Sequence, residues 1–79
     1  MKNVEIRELV ENEAKNMRDD VIVTFYKKST GITASFKAYH GINRVGAPEY
    51  AQITAKTFHR IEKPENILRK LRNDNRLYN

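Results

Sequence analysis

The chain has no cysteine and no tryptophan, and only two prolines and three glycines among its 79 residues. Without cysteine there are no disulfide staples and no thiolate metal sites, which leaves packing and self-association to supply stability. The same absence fits a reducing compartment. Long apolar runs are missing as well. No stretch approaches the roughly 18 apolar residues of a membrane span, and Met1–Val10 mixes acids and bases where a secretory signal would carry an apolar segment. These absences point to a cytoplasmic protein without a membrane partner.

Carboxylates are scarce over most of the length. Residues 1–20 hold four Lys/Arg against six Asp/Glu, whereas residues 21–79 hold eleven against four, for a net charge of +5. A basic body behind an acidic start attracts polyanions. Seventy-nine residues make one domain, 1–79, which buries about 60–65% of its unfolded surface.

Asn3 can cap a helix running to about Arg18, with Ile6, Leu9, Val10, Ala14 and Met17 on one face and a Glu11–Lys15 pair on the other. Val21–Lys27 is rich in β-branched and aromatic residues and reads as a strand. Lys28–Gly31 turns the chain, with Gly31 expected in the left-handed region. Ile32–Tyr39 then alternates with a period of two. Gly41–Pro48, with two glycines and a proline, is expected to be a mobile loop. Tyr50–Ile61 fits a strand or an amphipathic helix. Its Thr and Ile content, and the lack of room for a turn before Pro64, favour the strand. Pro64 and Glu65 open a last helix.

The expected fold is therefore α+β: a helix, a β-hairpin, a third strand and a helix, with both helices on one face of a three-stranded antiparallel sheet. Val21, Val23, Phe25, Ile32, Ala34, Phe36 and Ile53 would meet the helices. The opposite face would carry Ile22, Tyr26, Lys37, Tyr39, Tyr50, Lys56, Phe58 and Arg60. The same element order occurs in double-stranded-RNA-binding domains. The chain lacks their glycine- and lysine-rich helix entrance, and Glu65 puts an acid where phosphate would dock.

On the last helix Arg69, Arg72 and Arg76 recur at i, i+3 and i+7, opposite Ile67, Leu68 and Leu71. Planar guanidinium forks suit phosphate, and the same row also fits a solvated helix face. Lys27, Lys28, Lys37, Lys56 and Arg60 add cations. Tyr26, Tyr39 and Tyr50 add rings that can stack on unpaired bases. Together these residues predict a nucleic-acid surface, for DNA or RNA, read mostly through shape and backbone. The alternative is a small protein-interaction module, a regulator or inhibitor of a larger protein, homodimeric through the free sheet face.

Catalytic chemistry finds no support. His40 and His59 stand on different elements without carboxylates at ligand spacing. Asp19-Asp20 reads as a helix break. Lys27-Lys28-Ser29-Thr30-Gly31 lacks the pattern of a nucleotide loop. Arg44 is a single cation in a loop. The expectation is a non-enzymatic protein with no metal and no cofactor.

Overall fold

A computed structural model describes residues 1–79. The elements are α1 (Asn3–Ala14), β1 (Val21–Lys27), β2 (Gly31–Ile42), β3 (Pro48–His59) and α2 (Pro64–Arg72), followed by a 3-10 turn at Asn75–Leu77. The three strands form one antiparallel sheet in the order β1-β2-β3, so Tyr50–Ile61 belongs mainly to a strand and not to a helix. Both helices cover one face. Between them and the sheet lies a single core of Ile6, Val10, Met17, Ile32, Ala34, Phe36, Phe58, Ile67, Leu71 and Leu77. No helix is long and apolar enough to cross a membrane.

The cap of α1 is Lys2, one residue before the cap expected at Asn3. The Lys2 backbone N–H donates to the Glu5 carboxylate (2.7 Å), and the Asn3 side chain reaches instead to the Gly31 carbonyl (3.1 Å). The helix stops at Ala14, short of Arg18. Asn16 and Met17 donate to carbonyls three residues back, which tightens the last turn. The Arg18 N–H then bonds the Leu77 carbonyl (2.9 Å), drawing the chain toward its C-terminal end. Glu11 pairs with Arg7 and not with Lys15.

Gly31 is required for closeness and not for a left-handed backbone; only Gly41 and Gly46 have positive φ. A Cβ at Gly31 would lie 1.9 Å from the Phe58 carbonyl oxygen, so any side chain there would push β2 off β3. The segment expected to be a loop keeps one at Asn43–Ala47, but its ends, Gly41-Ile42 and Pro48, are strand. Gly41 pairs with Glu49 and Ile42 with Pro48. The turn between them, Asn43–Ala47, is closed by Asn43 N–H to Ala47 O (2.8 Å). The Asn43 side-chain oxygen accepts from Val45 and Ala47, and Gly46 takes φ +82°. β1 pairs with β2 only as far as Ala38, so the end of the β2–β3 hairpin projects as a two-stranded arm from a molecule 43 × 27 × 16 Å in extent.

One irregularity reverses a sequence expectation. Phe36 pairs with Thr54 but Lys37 pairs with Gln52, which leaves Ile53 as an extra residue in β3. A bulge shifts side-chain parity beyond it. Thr54, Lys56 and Phe58 therefore turn to the helix-covered face, and Phe58 is fully buried. Lys56 and Phe58 do not belong to the free face. The same shift sends Ala55 and Thr57 outward, where Thr57 shares a hydroxyl hydrogen bond with Thr33 (2.7 Å).

Candidate nucleic-acid interface

The expected arginine row does not form as a unit. α2 ends at Arg72, and Arg76 lies in the 3-10 turn beyond it. Arg72 directs two nitrogens onto Glu13 (3.2 and 3.1 Å), a carboxylate buried on the core side of α1. The Tyr78 hydroxyl also donates to Glu13 (2.6 Å). The Arg72 fork holds the Glu13 carboxyl below its usual range against the opposing effect of burial, and Tyr78 adds to the lowering. Burial first, and then the bond to Glu13, pushes the Tyr78 hydroxyl up.

Arg76 makes the same kind of fork on Asp74 (2.9 and 2.7 Å), and Lys56 approaches the same carboxylate at 3.1 Å. Asp74 is held far below the usual carboxylate range, chiefly by Arg76 and then by Lys56. Arg76 also donates to the Ile53 carbonyl at the bulge (3.3 Å). Arg72, Arg76 and Lys56 are thus committed to carboxylates inside the fold.

The remaining nominated residues sort into two places. The first is one end of the molecule, where the β1–β2 turn, the end of β3 and the start of α1 meet. Arg60 ties them together, donating to Asn3 Oδ1 (3.3 Å) and to the Ser29 carbonyl (2.5 Å). Thr30 and His59 share a hydrogen bond (2.9 Å) across the turn, a pairing that nothing in their spacing announces; no hydrogen bond holds the other imidazole nitrogen. Lys27, Lys28 and Arg60 at this end, and Arg69 in the last turn of α2, have no carboxylate within ion-pair distance. Lys2 and Lys63 join them. The sequence reading missed these two because they come from segments distant along the chain. A shallow depression beside Lys63 is lined by Glu65, Asn66 and Arg69, and its acid tempers the positive charge there.

The second place is the face of the sheet that no helix covers. Tyr26, Tyr39 and Tyr50 all lie on it and are 51%, 49% and 43% exposed, so their rings are free to stack. Tyr39 and Tyr50 meet edge to face with centroids 6.0 Å apart. Between them and Tyr26 run short side chains, Thr24, Thr33, Ser35, Ala55 and Thr57, with Lys37 the one cation and no acid among them. Ser35 donates to the Gln52 side chain (2.9 Å), which keeps the middle of this face low and flat. Tyr26 sits beside Lys27 and Lys28, and six residues of β2 carry the face about 20 Å onward to Tyr39.

No protein-family model, curated protein or solved structure matches the chain. The functional reading therefore rests on this geometry.

Proposed function

We propose that the protein is a non-enzymatic module that binds single-stranded nucleic acid along its uncovered sheet face. The observation that carries this reading is a flat face with three exposed tyrosines, one lysine and no acid, opening at one end onto unpaired cations. Bases stack on Tyr26, Tyr39 and Tyr50. Lys27, Lys28, Lys37 and Arg60, with Arg69 nearby, neutralise phosphates. Stacking on rings is tolerant of sequence because every base has a π-face, so little base preference is expected. Arg72, Arg76 and Lys56 leave the site, since each already has a carboxylate partner.

A second reading is favoured by one observation. Ile22, Ile42 and Val45 are also exposed, and apolar exposure of this kind suits a protein contact. Binding to labelled single- and double-stranded DNA and RNA across a salt series separates the two. Engagement of four phosphates gives a slope of log K against log salt of about −3 for single strands. Tyr50→Ala then costs about 1–3 kcal/mol of binding free energy. Absence of binding at low salt rejects nucleic acid and leaves the protein contact.

A further inference from the structure

The two edges of the sheet differ in protection. β3 begins at Pro48 and bulges at Ile53, whose carbonyl is taken by Arg76. β1, Val-Ile-Val-Thr-Phe-Tyr-Lys, has no proline, glycine, acid or bulge. Such an edge is a template for another strand.

Its hydrogen-bonding phase can be read from the ends of the β1–β2 ladder. Lys28 and Gly31 exchange backbone bonds, and the Tyr39 N–H donates to Asp20. Antiparallel ladders alternate, so Ile22, Thr24 and Tyr26 direct their backbone groups to β2. Val23, Phe25 and Lys27 direct theirs outward, and no other group of the chain bonds to them. The Thr24 hydroxyl oxygen is also buried without a hydrogen-bond partner.

We infer that β1 pairs antiparallel with β1 of a second copy, about a two-fold axis through Thr24, joining two three-stranded sheets into one of six strands. This is the only register that pairs all seven residues. It places Val23 opposite the second copy's Phe25 in hydrogen-bonded pairs and Ile22 opposite its Tyr26, so β-branched residues meet aromatics on both faces. Thr24 meets its own counterpart, and rotation of its side chain gives the unpartnered hydroxyl a hydroxyl neighbour, as Thr33 and Thr57 already have. The uncovered face becomes continuous across the dimer. This inference stands apart from the nucleic-acid reading, because the edge and not the face makes the contact.

The chain has no cysteine, so one introduced thiol reports the geometry directly. Cα atoms of a non-hydrogen-bonded pair lie about 4.5 Å apart, within the span of about 4.4–6.8 Å that a disulfide bridges. Mild oxidation of Thr24→Cys is expected to give a covalent dimer, whereas Ala55→Cys, exposed in the same row on β3, stays monomeric. In sedimentation the wild-type chain is expected to dimerise with concentration up to the millimolar range. Thr24→Lys, its fold checked by circular dichroism, is expected to dissociate about tenfold more readily because like charges then oppose each other across the axis. A wild-type chain that stays monomeric throughout, or a Thr24→Cys variant that cross-links no faster than Ala55→Cys, overturns the inference. If Thr24→Lys does not fold, the two cysteine variants alone decide.

Discussion

The C-terminal segment and the β1–β2 turn are both rich in cations, and the fold uses them differently. At the C-terminal end Arg72, Arg76 and Lys56 close on Glu13 and Asp74, two carboxylates with little exposure. At the turn Lys27 and Lys28 face solvent with no acid near them. The contrast teaches that a basic residue is available to a partner only when the fold leaves it no internal counter-charge. Spacing along a helix does not reveal this. The C-terminal cations hold the last eight residues against the core, and the turn cations contribute charge to the surface.

Replacing the apolar anchor of the C-terminal segment should have the largest effect. Leu77 is fully buried, and Leu77→Ala is expected to cost about 2–5 kcal/mol in urea unfolding. Next comes Glu13→Ala, which leaves the Tyr78 hydroxyl and the Arg72 fork without their acceptor. Its expected cost is about 1–3 kcal/mol by the same measurement. Equal stability of Glu13→Ala and wild type would mean that the C-terminal segment is held by Leu77 alone.

Acid should reach the same region. Glu13 and Asp74 both ionise at lower pH in the folded chain than in the unfolded one. Their contribution is therefore complete above the unfolded pKa and lost as pH falls through the folded values. The melting temperature is expected to hold at neutral pH and to decline below about pH 5. Asp74→Asn should flatten part of that decline while lowering the plateau. An acid limb identical to wild type would remove Asp74 from the account.

The smallest change in stability is expected at the turn. Lys27→Ala with Lys28→Ala should alter unfolding free energy by no more than about 0.5 kcal/mol. The same double variant should flatten the salt slope for single-stranded nucleic acid by about 1.4. Arg76→Ala should do the reverse, weakening the fold and sparing the slope. If the Arg76 variant loses the slope and the lysine variant keeps it, the division of the cations is the wrong way round.

Much of the fold is legible from local pattern. The alternation of Ile32–Tyr39, the β-branched run of Val21–Lys27 and the Pro64-Glu65 helix start each express a short-range preference, and the structure keeps all three. The bulge at Ile53 is not legible, because Ala51, Ile53, Ala55 and Thr57 form the more apolar row, and the extra residue turns the more polar row of Thr54, Lys56 and Phe58 to the core instead. That one extra residue moves Lys56 and Phe58 across the sheet. Glu13 left a trace that was readable: Ile6, Val10, Glu13 and Met17 form one helical stripe, so an acid stands in line with the core. Its partner Arg72 lies 59 residues away and could not be paired with it from spacing. The tyrosines of the free face were readable because their stretches precede or avoid the parity change.

Gly31 sets a limit on how this protein can diverge. Its missing side chain is filled by the backbone of β3, so substitution there must move two strands and not one atom. The lysines just before it have no such obligation. Descendants of this sequence are expected to exchange Lys27 and Lys28 for other residues freely while keeping the glycine, and a set of orthologues in which Gly31 varies as much as its basic neighbours would contradict that. Where binding diverges in such a lineage, it does so by changing charge around an unchanging turn.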